Sequence, residues 1–235
     1  MKRNNLLSII IPVYNEAKTI KSVLNLVLKS KLSIKKEIII INDGSTDDTQ
    51  EIVDKFIQNN HKINIRLLNK KNEGKGSAVK LGIMKATGQI IIIQDADLEY
   101  NPEDYERCIQ PIINGKYKVV YGSRVIDRGN IKYRHLSYLI GGRTITLFTN
   151  ILFGSRLTDE PTCYKTFDSD LIKSININGK KFDWEPEITA KILRMGIKIK
   201  EVPIRYYPRS IKEGKKIRWK DGLDAIITLI KYRLI

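Results

Sequence analysis

Three acids at alternate positions, Asp95, Asp97 and Glu99, close the apolar run Ile90 to Ile93 in the stretch IIIIQDADLE. If the backbone stays extended through them, all three side chains point to one side. Carboxylates about 7 Å apart repel one another by roughly 2 kcal/mol per pair at an effective dielectric of about 20, so something cationic should lie between them. Nearby Lys and Arg side chains could supply that charge, leaving a solvated strand end. A hard divalent cation, Mg²⁺ or Mn²⁺, held by one or two carboxylates and completed by phosphate oxygens of a ligand, would instead make it a reaction centre.

The elements around the acids decide what they face. Four isoleucines bounded by Gly88 and Asn101-Pro102 read as a strand buried on both faces, in the middle of a parallel sheet. The acids then lie at its carboxyl end, where open α/β sheets place their ligands. Upstream, Leu6 to Val13 reads as a strand ended by Pro12, with a turn at Tyr14-Asn15-Glu16. A helix follows, with Ala17, Ile20, Val23, Leu24, Val27 and Leu28 on its apolar face. Glu37 to Ile41 reads as the second strand and Ile63 to Leu68 as the third; between them Thr46, Asp47 and Asp48 open a helix. Gly76 to Ala86 is the third predicted helix and Gln89 to Gln94 the central strand. Alternating strand and helix means an α/β fold, a mostly parallel sheet with helices on both faces.

The 235 residues suit a single domain with a large core. Two cysteines, Cys108 and Cys163, make no disulfide framework, and His61 and His135 give zinc no ligand set. Proline and acid interrupt the first apolar run too early for a signal peptide, so a reducing, cytoplasmic compartment is expected. The net charge of +16 alone points to nucleic acid or an anionic membrane. No nucleic-acid-binding motif accompanies it, and much of the charge follows from a codon bias that makes Lys, Ile and Asn abundant together throughout the chain. A P-loop motif is absent. Gly74-Lys75-Gly76 begins like a dinucleotide fingerprint, but Val79 stands where its third glycine would be. The two glycines read better as a helix start close to a ligand, or as a plain flexible helix entry.

Taken together, PVYNE from Pro12, NDGSTDDT from Asn42, NEGKGSAVKLG from Asn72 and QDADLE from Gln94 resemble inverting family 2 glycosyltransferases of the GT-A fold. YGSR at Tyr121 to Arg124, TDEPTCYKTF, WEPEITAKI and EGKKIRWKDG extend the resemblance to the polyprenyl-phosphate hexosyltransferase branch, which is similar to dolichyl-phosphate mannose synthase. One departure is Asn42, where many members carry the first Asp of a DDGS pair.

The resemblance implies a GT-A, Rossmann-like domain with a nucleotide-sugar half (1–125) and an acceptor half (126–235). Asp97 would be the principal metal ligand and Glu99 a second. Asp95 would contact the ribose or donor sugar, and Asp43 the base edge. Pro12, Tyr14, Glu16 and Lys75 would complete the nucleotide pocket. A lipid phosphate is already ionised near neutral pH, so it needs positioning and shielding more than a base. Arg124, Arg134 and Arg209, with Ser137, Lys215 and Lys216, are the candidates, since guanidinium grips phosphate through a bidentate fork. Asp159 lies where enzymes that glycosylate hydroxyls could keep a base, or it only orients the sugar or caps a helix.

Leu136 to Phe153 would reach about 27 Å as a helix, but Arg143 costs about 3 kcal/mol in a bilayer and Gly141-Gly142 invites a break. An interfacial helix or hairpin is the expectation, with a buried core helix as the alternative. Leu223 to Ile235 is too short to span and would lie on the membrane or pack on the sheet. The reading is a metal-dependent enzyme moving a hexose from GDP-mannose, UDP-glucose or a UDP-N-acetylhexosamine to a polyprenyl phosphate, peripheral on the cytoplasmic membrane face. Its rivals are transfer to a sugar hydroxyl with Asp159 as base, and a protein that binds nucleotide sugar or nucleic acid without catalysis. The base, the sugar and the oligomeric state are not legible.

Overall fold

The computed structural model of the chain describes residues 5–127, 136–209 and 219–235. Seven strands form one sheet in the order β3-β2-β1-β4-β6-β5-β7. They are β1 (Leu6–Val13), β2 (Lys35–Asn42), β3 (Ile65–Asn69), β4 (Ile90–Ile93), β5 (Val119–Ser123), β6 (Lys165–Asp168) and β7 (Ile199–Pro203). All neighbours pair in parallel except β6, which runs antiparallel between β4 and β5. The mostly parallel α/β architecture expected from the alternation is therefore present.

The isoleucine runs explain the middle of the sheet. Ile9 to Ile11, Ile38 to Ile41 and Ile90 to Ile93 are almost completely buried, because helices cover both faces. Those helices are α1 (Ile20–Lys29), α2 (Thr49–Asn59), α3 (Lys75–Lys85) and α4 (Tyr105–Ile113). The chain's second half adds α5 (Leu136–Phe153), α6 (Ser169–Ser174), α7 (Trp184–Arg194) and α8 (Trp219–Leu234), as well as β6 and β7.

Two local expectations are corrected. The alternation of acids assumed extended backbone, but β4 stops at Ile93 and the chain turns at Ala96-Asp97. Leu98 sits at φ 65, and the Asp97 carboxylate accepts the Glu99 N–H at 3.1 Å, which closes the turn. The second correction concerns Gly141-Gly142, where α5 continues unbroken. Nothing lies within 4 Å of a Cβ built on Gly141, and Gly142 meets only Pro161 at 3.5 Å.

Helix α5 is neither a hairpin nor a core helix. Ile145, Leu152 and Phe153 pack with Ala190, Leu229 and Tyr232 of α7 and α8. Ile140, Leu147, Phe148 and Ile151 remain exposed. Helix α8 likewise packs through Ala225, Leu229 and Tyr232 and exposes Leu223, Ile227, Ile230 and Leu234, one stripe at helical spacing. Among the described residues, no helix is long and apolar enough to cross a membrane.

Candidate functional site

The site is built at the carboxyl ends of β1, β2 and β4, as the sheet topology requires. Asp95 and Asp97 follow β4, Glu16 follows β1 and Asp43 follows β2. A cavity of about 1130 Å³ joins them and runs on to Gly142 of α5 and Ala225 of α8. Pro12, Tyr14, Lys75, Glu99, Arg124, Asp159 and Arg209 also line it, so the structure gathers these predicted residues around one space. Arg134, Lys215 and Lys216, and the side chain of Ser137, lie outside the described residues.

Protein cations do lie among the acids. Lys75, at the first turn of α3, places its ammonium 2.8 Å from Asp95 and 2.9 Å from Glu185. Burial alone would lower the Lys75 pKa; the two carboxylates outweigh it and hold the group well above the usual lysine range. Arg209 spans Glu16 and Asp97, at 3.2 Å from each. Asp97 is still under-compensated: burial, then Asp95 and Glu99, push its pKa up to about 7 against the pull of Arg209. Glu99 accepts the Tyr206 hydroxyl at 2.9 Å and the Arg209 backbone N–H at 2.8 Å, anchoring the chain after β7 to the acid turn.

The donor set fits a hard divalent cation in part. It is all carboxylate oxygen, with Asp95 and Glu99 crowding Asp97. Among the described residues, however, no three acid, His or Cys side chains are grouped as a complete ligand set. One or two carboxylates completed by ligand oxygens is the pattern Mg²⁺ accepts.

Asp43 is buried, and its carboxylate takes the Lys70 ammonium at 2.7 Å, the Glu73 N–H at 3.1 Å and the Gly74 N–H at 2.8 Å. It therefore shapes the loop before α3 as well as lining the cavity. Asn42 fills the departing position with a local function: its carbonyl oxygen accepts the Ser45 N–H and its amide donates to Asn69. The glycines of the loop at the cavity edge also have a packing function. A Cβ on Gly76 would meet the Gly179 carbonyl oxygen and, at 2.8 Å, Trp184 Cβ; one on Gly74, at φ 107, would lie 2.5 Å from the Lys180 carbonyl oxygen. The close approach they permit is to the chain's own 179–184 segment, whose Lys181 and Lys180 carbonyls accept the N–H groups of Gly76 and Ser77.

Arg124 and Asp159 form one unit. Arg124 Nε and Nη2 each lie 2.7 Å from a different Asp159 oxygen, and the Arg124 backbone N–H adds a bond of 2.8 Å. The guanidinium lies over the Tyr206 ring, 5.0 Å from its centroid, and also donates to the Pro161 carbonyl. Both oxygens of Asp159 are thus committed, an arrangement that orients Arg124 and gives little scope to act as a base. Sequence reasoning passed over Glu185 and Tyr206. Glu185 was visible only as part of the WEPEITAKI block, and Tyr206 carried no signal before the fold brought it to Glu99.

The model of the family described as Glycosyl transferase family 2 matches residues 8–175. A UDP-N-acetylglucosamine–dolichyl-phosphate N-acetylglucosaminyltransferase of Methanococcus voltae is 30% identical, over 91% of this chain and 91% of its own. A dolichyl-phosphate β-glucosyltransferase of Trichomonas vaginalis is 31% identical over 96% of this chain and 72% of its own. Among solved structures, glucosyl-3-phosphoglycerate synthase of Mycobacterium tuberculosis, in complex with Mn²⁺, UDP and phosphoglyceric acid, superposes with a TM-score of 0.74 at 18% identity, over 97% of this chain and 78% of its own. The same enzyme has also been solved with Mg²⁺ and UDP. The expected fold and family are both met, and the chain belongs to glycosyltransferase family 2.

Proposed function

We propose that the enzyme transfers a hexose from a nucleotide sugar to a polyprenyl phosphate at a membrane surface, with Mg²⁺ or Mn²⁺ at Asp97. The observation that carries this reading is the single cavity joining the acid cluster to α5 and α8, the two helices with exposed apolar stripes. Both relatives named above have dolichyl phosphate as acceptor in their names.

Residues 1–125 supply the nucleotide side. Pro12 and Tyr14 line the pocket. Asp43 uses three of its carboxylate's roughly four lone-pair sites within the chain, leaving one for a base N–H. Asp95 and Lys75 hold the sugar or ribose. Asp97 holds the metal ion, with Glu99 as the second carboxylate beside it. When bound, the ion offsets the charge that develops on the leaving diphosphate. Residues 126–235 supply the acceptor side. Asp159 fixes the plane of Arg124, whose guanidinium together with Arg209 gives the acceptor phosphate a positive field; Arg134, Ser137, Lys215 and Lys216 are assigned to the same role. Basic residues and the exposed stripes of α5 and α8 hold the enzyme on the cytoplasmic face, each lysine near an anionic leaflet adding about 1 kcal/mol.

The test is product formation from UDP-glucose, UDP-N-acetylglucosamine or GDP-mannose with a short-chain polyprenyl phosphate, with Mg²⁺, Mn²⁺ or chelator. A prenyl-linked sugar formed only with metal is expected. Transfer to sugar hydroxyls and none to the lipid phosphate would overturn the acceptor, and full turnover in chelator would overturn the metal.

A further inference from the structure

Helix α5 carries a cation in the middle of its exposed apolar face. Arg143 lies one helical turn from both Ile140 and Leu147, where side chains are neighbours on the helix surface. It is exposed like them, and it also lines the cavity. Among the described residues, no carboxylate, ring or hydrogen-bond acceptor engages its guanidinium. The other two arginines of the cavity wall are spoken for. Arg124 spends Nε and Nη2 on Asp159, and Nη2 again on the Pro161 carbonyl. Arg209 is engaged by Glu16 and Asp97. Arg143 keeps all its donors, and with them an intact fork.

The surroundings of Arg143 leave room for a ligand. A Cβ on Gly142 would meet Pro161 at 3.5 Å, which sets this turn of α5 beside the residue whose carbonyl holds Arg124. A Cβ on Gly141 would meet nothing within 4 Å. The wall before Arg143 is therefore bare backbone, open from the Arg124 side of the cavity to the exposed face of α5.

We infer that Arg143 grips the acceptor phosphate through a bidentate fork, with the prenyl chain leaving along the apolar stripe of α5. This rests on the polyprenyl-phosphate reading and adds a binding residue to it. A prenyl phosphate is one anion at the end of an apolar chain, and this face of α5 is one cation in a row of apolar side chains. A guanidinium in such a row is costly to desolvate at a membrane unless an anion meets it. A phosphate meets it with two parallel charge-assisted bonds. Arg124, held by Asp159, adds its field, while Arg143 makes the bonds. An anionic phospholipid carries a related group, and the experiment separates the two sources.

The test uses the full chain and two soluble probes, geranyl phosphate and dihexanoyl phosphatidylglycerol, with dissociation constants measured by calorimetry. Arg143→Gln should weaken geranyl phosphate binding about ten-fold or more, and Arg143→Lys, which keeps the charge without the fork, should fall between. The melting temperature and the binding of Mn²⁺ with UDP or GDP should be unchanged, as expected for an exposed side chain without partners. Geranyl phosphate binding equally well to the parent and Arg143→Gln overturns the assignment and leaves the acceptor reading standing. Dihexanoyl phosphatidylglycerol binding as tightly as geranyl phosphate, and losing as much in Arg143→Gln, overturns it in favour of a headgroup contact. A fall in melting temperature and nucleotide binding in both variants assigns Arg143 to the fold and overturns it too. Geranyl phosphate failing to bind the parent overturns it together with the polyprenyl-phosphate reading.

Discussion

Arg124→Met should unfold the protein more readily before it says anything about catalysis. The side chains of Arg124 and Asp159 are 13% and 5% exposed, and the guanidinium supplies two of the bonds of 2.7 Å that satisfy the carboxylate. Removing it leaves Asp159 with the backbone N–H of residue 124 and a buried, uncompensated charge. Breaking such a pair from one side costs about 3–5 kcal/mol, against a total stability on the order of 5–15 kcal/mol. Replacing both partners by apolar residues removes the orphaned charge, so Arg124→Met/Asp159→Leu should recover most of that loss. Urea unfolding followed by the fluorescence of buried Trp184 measures all variants, with midpoints compared at unchanged slope. A loss below about 1 kcal/mol in Arg124→Met, or a double variant no more stable than the single one, would refute this account of a buried pair. The double variant then tests function: retained nucleotide binding with lost transfer to the lipid phosphate places the Arg124–Asp159 unit, not one of its members alone, in the acceptor site.

Three further outcomes are expected. Gly76→Ala should destabilise the fold by about 1–3 kcal/mol, because its Cβ meets backbone that cannot move aside, whereas Gly141→Ala, in open space within α5, should stabilise by about 1 kcal/mol; thermal melts separate the two. The unfolded chain loses the Asp97 proton near the ordinary 3.8 and the folded chain near 7, so this group makes stability fall as pH rises between those values. Metal-free Asp97→Asn should accordingly be more stable than the parent at pH above about 7, with the difference closing toward about pH 4, as equilibrium unfolding across that range would register. Ile227→Glu on the exposed stripe of α8 should weaken sedimentation with anionic vesicles at low salt while leaving nucleotide binding intact; unchanged sedimentation would remove that stripe from the membrane contact.

The strands of the first half were legible because isoleucine runs report burial on both faces, and the ordered motifs reported the family. The direction of the acids was not, since alternation assumes extended backbone and a single left-handed residue, Leu98, breaks it. Nor could spacing reveal what Gly74 and Gly76 approach: their neighbours lie about a hundred residues downstream, at Gly179 to Trp184. The pairing of Glu185 with Lys75 and of Tyr206 with Glu99 was hidden for the same reason, since only tertiary packing brings them together. For α5, the apolar stretch Leu136 to Phe153 was bounded correctly but expected to be an interfacial helix or a hairpin, and its partner α8 had to be seen to show which side stays bare.

The reversed strand β6 also governs how the molecule is made. Strands β1 to β4 come from consecutive chain, but β4 finds its second neighbour only when Ile91 pairs with Phe167. Such distant pairing is slow, since a long loop must close before any contact rewards it. Until then the most apolar strand of the sheet presents an open edge, able to pair with another chain. Assembly of the reactive end is thereby late: the acid turn acquires its Tyr206 and Arg209 contacts only after the central edge has been sealed, and nascent or truncated chains are expected to aggregate through β4 before they can bind donor.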